Sequence, residues 1–238
     1  MTRLKKNTGL TAAIVKIILY VVIMSATENF IGNGISQKWR GLPAALFLAV
    51  LLILAAKKNE FSEIGLTSET PLDIRKLLYL IPMAIVATAN LWNGAALRYT
   101  AGETVWYVFA VVCIGFIEEI LFRGYLLHII MKKSVKRAII ISSLTFGLGH
   151  IVNLINGAEP LPTLLQLAYA VAIGFMLSVF AAKTKQLLPC CIFHGIFNSL
   201  AAFSNETGIT VKFQIFECIF ICALTTGYAW YMWKCLKQ

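Results

Sequence analysis

Three short stretches place ionisable or hydrogen-bonding side chains among apolar residues. The first reads Phe116-Ile117-Glu118-Glu119-Ile120-Leu121-Phe122-Arg123. The second reads Thr145-Phe146-Gly147-Leu148-Gly149-His150, and the third His194-Gly195-Ile196-Phe197-Asn198. Residues four apart share a helix face, so Glu119 and Arg123 are spaced to form an ion pair. Glu118 is turned about 100° from Glu119 and stays outside that pair. Phe146 and His150 project together, as do His194 and Asn198. A carboxylate with two imidazoles can activate a water molecule, and an Asn amide or a His can donate to a developing oxyanion. Glu118, His150 and His194 could equally hold a catalytic zinc ion, with the fourth position open to water. No His-Glu-x-x-His helix is present, which excludes a soluble zincin. The alternative for Glu119 and Arg123 is a charge cluster that locks helices together. For His194 and Asn198 it is interhelical hydrogen bonding.

The elements that must position these residues are membrane helices. Of 238 residues, 59% are hydrophobic and 13% charged, with a mean hydropathy of +0.78. A soluble domain carries roughly 25% charge, so a soluble or disordered chain is excluded. The six cysteines are too sparse for a disulfide scaffold and include no Cys-x-x-Cys pair. Eight apolar segments predict membrane helices: 10–31, 42–56, 77–97, 105–131, 138–155, 162–182, 187–204 and 211–233. The expected fold is an all-α polytopic bundle of about eight transmembrane helices, one domain over 1–238. The polar stretches fall on the fourth, fifth and seventh helices. An ionised side chain in mid-membrane costs about 2.5–3.5 kcal/mol on insertion scales, so these residues need partners or a function.

The net charge of +10 reads as membrane topology rather than a nucleic-acid surface. Fifteen of the 21 Lys and Arg fall in alternate loops and at both termini, including Lys57, Lys58, Arg75, Lys76, Lys132 and Lys185. Four, Lys38, Arg40, Arg98 and Lys212, fall on the other side; Lys16 and Arg123 lie within helices. The positive-inside rule places both termini in the cytosol. Lys16 interrupts the first apolar run, so this helix is read as retained rather than as a cleaved signal. The 57–76 loop is either a surface amphipathic piece or a solvated connector.

Glu118-Glu119-x-x-x-Arg123, then Phe146-x-x-x-His150, then His194-x-x-x-Asn198 resemble, in order, the three signatures of the CAAX protease and bacteriocin-processing (CPBP, or Abi) family of intramembrane endopeptidases. The resemblance covers about 103–204. The Ile64-Gly65-Leu66 stretch is similar to the family's usual lead-in. The resemblance implies that Glu118 activates the hydrolytic water with His150 assisting. It implies that His194 and Asn198 stabilise the oxyanion, while Glu119, Arg123 and Phe146 support the site. The family's residues accommodate either a metalloprotease or a glutamate-driven mechanism, so the cofactor is either zinc or none. The implied partners are the lipid bilayer and a peptide or protein substrate: a CAAX-type protein, a pheromone or a bacteriocin, with self-immunity as a further role. A bacterial plasma membrane is the expected location. Neither the substrate nor the oligomeric state is selected.

Two other classes compete. A transporter or ion pathway would use the same buried charges, but it predicts paired inverted segments, and no internal symmetry is visible. A non-catalytic membrane scaffold or immunity protein would use them for assembly, and a Glu118→Ala variant separates it from a protease.

Overall fold

The computed structural model describes residues 3–32, 39, 41–67 and 81–235. These residues form an all-α bundle, as the composition predicts. Helix α1 spans Arg3–Gly32, α2 Gly41–Lys57 and α3 Ile81–Ala87. Helix α4 begins at Ala101–Glu119, passes through a π-helical stretch at Ile120–Leu127 and ends in an α-turn at His128–Met131. Helix α5 is Val135–Gly149, α6 Val152–Ile155, α7 Pro160–Thr184, α8 Leu188–Leu200 and α9 Val211–Cys235. The only β pairing among the described residues is an isolated antiparallel bridge, Ala95 to Ser204.

Local signals set the ends of the helices that carry the polar residues. Thr100 caps α4 in a capping box with Glu103. Ser134 caps α5 through the Arg137 amide. Helix α7 opens on proline and closes at Lys185, which adopts a left-handed conformation.

Among the described residues, five stretches are long and apolar enough to cross a membrane: Gly9–Asn29, Ala101–Met131, Val135–Ile155, Pro160–Thr184 and Val211–Cys235. Gly41–Lys57 and Leu188–Phe203 are shorter apolar helices. Their outward faces are apolar, as with Ile18 and Val22 on α1, Leu46 and Val50 on α2, and Phe216 and Ile219 on α9. That is the surface a hydrocarbon solvent demands. Helices α4 and α7 are the interior members, with half or more of their spans buried; only 11% of the α1 span is buried.

The helix expected over 77–97 differs. Residues 77–80 lie outside the described residues, α3 ends at Ala87, and a 3-10 turn follows at Ala89–Leu91. Polar residues and a glycine stop the helix. Asn90 donates to the Phe197 carbonyl and Asn93 to the Asn205 carbonyl, while Gly94 takes a φ of 99°. The fifth segment also breaks, with α5 ending at Gly149 and His150 sitting in the turn before α6.

The loops sort to two ends. At one, Lys132 pairs with Glu63, Leu187 N–H donates to the Gly65 carbonyl at 2.7 Å, and the Lys183 ammonium lies 4.5 Å over the Trp233 ring. The Lys132 ammonium holds the Glu63 carboxyl below its ordinary pKa. The described part of the 57–76 loop is a folded turn with Ile64 buried against Gly124 and Leu187; residues 68–76, with Arg75 and Lys76, lie outside the described residues, as do Lys38, Arg40 and Lys237. At the other end, residues 94–98 pair with 202–205 through backbone hydrogen bonds, and Arg98 bonds Glu206 at 2.8 Å.

Close backbone approach brings the polar helices together. A Cβ on Gly115 would lie 3.0 Å from the Gly195 nitrogen and 3.2 Å from the His194 carbonyl carbon. A Cβ on Gly147 of α5 would meet Val171 of α7, including its backbone nitrogen at 2.7 Å. Small residues at both crossings let helices pack backbone to backbone. Gly115→Val is expected to lower stability by roughly 1–3 kcal/mol through overpacking. Gly227→Ala, where the added Cβ meets nothing within 4 Å, is expected to be neutral or stabilising. Thermal unfolding of the two variants in detergent checks the contrast.

Candidate active site

Glu118 and Glu119 close the regular part of α4, and the π-helical stretch starts at the next residue. A π stretch widens the helix and redirects carbonyls that the i–4 ladder would use. The Phe122 carbonyl accepts from Ser142 Oγ of α5 at 2.9 Å, which ties α5 to this stretch. Ser142 is fully buried.

The deepest element is an ion pair. Arg123 Nη1 lies 2.8 Å from Glu119 Oε1, and neither side chain has any solvent exposure. The guanidinium also lies 4.2 Å over the Phe146 ring. Gly174 of α7 makes room for both, because a Cβ there would be 3.0 Å from Arg123 Nη2 and from Phe146 Cδ1. Arg123 Nε and Nη2 and Glu119 Oε2 find no hydrogen-bond partner among the described residues.

His194 links the two carboxylates. Its Nδ1 is 2.9 Å from Glu119 Oε1 and its Nε2 is 3.3 Å from Glu118 Oε2. Phe146 meets it edge to face at 5.6 Å and meets His150 in the same way at 5.5 Å. Spacing along the helix leaves Glu118 outside the Glu119–Arg123 pair. The structure joins them through the imidazole, giving a continuous chain Arg123–Glu119–His194–Glu118.

Glu118, His150, His194 and Asn198 line one cavity of about 170 Å³, with Phe146 and Gln166. A second cavity of about 110 Å³, between α1 and the α5–α6 turn, shares Glu118, Phe146 and His150. No hydrogen bond joins His150 to Glu118 among the described residues; they meet by facing the same two cavities. Asn198 is one turn beyond His194 on the same face.

Two contributors escaped the sequence reading. Tyr20 of α1 donates to Glu118 Oε1 at 2.7 Å. Gln166 of α7 accepts from Asn153 at 2.9 Å and reaches the larger cavity. A buried Tyr hydroxyl needs a partner, so a tyrosine within an apolar span is a faint pointer. Neither residue carries a charge that would mark it in a membrane helix.

Both ring nitrogens of His194 face carboxylates. Among the described residues no three His, Cys, Asp or Glu side chains form a metal-ligand group.

Removing one partner of a buried pair leaves a charge with no compensation. Arg123→Ala is therefore expected to cost about 3–5 kcal/mol of stability, and Glu119→Gln to lower folded yield in the same direction. Glu118→Gln is isosteric and lies at the cavity end of the chain, so it should leave folded yield near wild type. Size-exclusion profiles and unfolding temperatures of the three variants in detergent measure the difference.

None of the curated proteins matches this chain. Residues 100–200, which carry all seven residues of the three motifs, match the model of the family described as Type II CAAX prenyl endopeptidase Rce1-like. Over that stretch the chain is similar to a protease family, in agreement with the resemblance its motifs carry.

Proposed function

We propose that the protein is an intramembrane endopeptidase that hydrolyses peptide bonds of membrane-associated or lipidated peptides or proteins. The observation that carries this reading is the buried chain Arg123–Glu119–His194–Glu118, which ends on a cavity that His150 and Asn198 also line. The Glu119 carboxylate and the Arg123 guanidinium offset one another at 2.8 Å, which keeps this pair stable away from water.

Each residue then has a task. Glu118 takes a proton from a water held between it and His150, and the water oxygen attacks the scissile carbonyl carbon. As Glu118 gains that proton it becomes a poorer acceptor for His194. His194 Nε2–H and the Asn198 amide then donate to the oxyanion of the tetrahedral intermediate. Collapse breaks the C–N bond, and Glu118 passes its proton to the leaving amine. Glu119 fixes His194 through Nδ1, and Arg123 and Phe146 fix Glu119. No step is routed through a metal.

The family's description makes a prenylated C-terminal peptide the first substrate to test; bacteriocin and pheromone precursors come next on the resemblance of the motifs. The gathering of Lys132, Lys183 and Lys185 at one end supports a cytosolic face there, with both termini on that side.

Purified protein in nanodiscs with a fluorogenic, lipid-anchored peptide tests the proposal. Glu118→Gln is expected to abolish cleavage while keeping the unfolding temperature. Asn198→Ala is expected to lower kcat by roughly 10²–10³, the usual effect of losing one oxyanion donor. Near-normal cleavage by Glu118→Gln would remove the base from the mechanism. Cleavage is expected to persist in a strong chelator; its loss, together with about one metal bound per chain, would bring a metal into the site.

A further inference from the structure

The carboxylate of Glu118 is gripped at both oxygens. Oε2 faces His194 Nε2, and Oε1 accepts the Tyr20 hydroxyl at 2.7 Å. Tyr20 comes from α1, outside the 100–200 stretch that carries the motifs. It is 6% exposed, on a helix whose span is only 11% buried, and its ring tilts against Phe47 of α2 at 5.9 Å. Polar contacts that seat α1 include Tyr20 on Glu118, Ser25 Oγ on Asn156 Oδ1 at 2.7 Å, Asn29 Nδ2 on the same oxygen at 3.4 Å, and the Lys16 ammonium 3.3 Å over the Tyr125 ring. Of these, the first touches the proposed catalytic residues.

The geometry has a mechanical meaning. The terminal torsion of a glutamate is broad, so a carboxylate held at one oxygen can still swing. Held at two oxygens by groups on different helices, its plane is fixed. The same residue, Glu118, lines the two cavities that His150 also lines. A positioned base works only when the water it deprotonates lies within hydrogen-bond reach and in line with the carbonyl.

We propose that Tyr20 is a positioning residue for Glu118, so that the active site is completed by the first helix as well as by the three motif helices. This rests on the reading of Glu118 as the base. The hydroxyl sets the carboxylate plane and donates to it in the resting enzyme. It also stays in place as Glu118 alternates between acceptor and acid.

Tyr20→Phe keeps the ring and its packing on Phe47 and removes only the hydroxyl. Ser25→Ala removes the neighbouring seat of α1 and leaves Glu118 untouched. Both are compared with wild type and with Glu118→Gln, using the lipid-anchored peptide in nanodiscs and normalising to folded protein by size exclusion. Tyr20→Phe is expected to lower kcat about ten-fold, the scale of one hydrogen bond to a charged group, with KM changed less than about two-fold. Ser25→Ala is expected to keep kcat near wild type. A Tyr20→Phe kcat equal to wild type would overturn the proposal. So would a loss matched by Ser25→Ala, or one that disappears on normalising to folded protein, because each assigns Tyr20 to helix docking alone. Cleavage that survives Glu118→Gln would instead sink the reading of the base, whatever Tyr20→Phe does.

Discussion

A fully buried ion pair, Glu119 with Arg123, is the constraint around which the interior is arranged. Charge placed among apolar side chains is stable only when its partner is close and fixed. Three helices meet that demand. Helix α4 supplies both charges, α5 supplies the Phe146 face, and α7 supplies a glycine where any side chain would strike the guanidinium. The Gly115–Gly195 crossing then brings α8 close enough for His194 to share Glu119.

The neighbouring carboxylates illustrate how position alone divides labour. Glu119 is enclosed and bound to a guanidinium, and it serves as an anchor. Glu118, the preceding residue, is turned to the cavities and bound to a phenol and an imidazole. Both side chains need water excluded on one flank, and only Glu118 needs it admitted on the other.

Much of this was legible in the residues. The apolar runs, the ion-pair spacing of Glu119 and Arg123, and the same-face pairs on α5 and α8 follow from helical geometry. What was hidden has physical causes. The π stretch at Ile120–Leu127 arises from packing against α5, where Ser142 takes up the Phe122 carbonyl, and no local propensity marks it. Hydropathy continued the third segment to residue 97, although Asn90 and Asn93 reach carbonyls more than a hundred residues away. Tyr20 is uncharged and sits in an apolar run, so only its tertiary partner reveals it. His194 joining the two carboxylates is likewise a contact between helices, invisible to spacing within either.

The chain order of these contacts has a consequence for biosynthesis. Helix α1 leaves the ribosome before the helices that bind it: Glu118 is 98 residues downstream of Tyr20, and Asn156 is 131 residues downstream of Ser25. The gap between Glu119 and His194 is a further 75 residues. At about 5–20 residues per second, α1 waits on the order of ten seconds in the membrane before its seats exist. During that interval Lys16 has no tyrosine face beneath it, and the helix is held by its own apolar surface. The buried polar cluster is thus assembled late, from α1 and from residues that lie 98 or more positions downstream of Tyr20. A nascent chain carries separate fragments of it until α8 has been made.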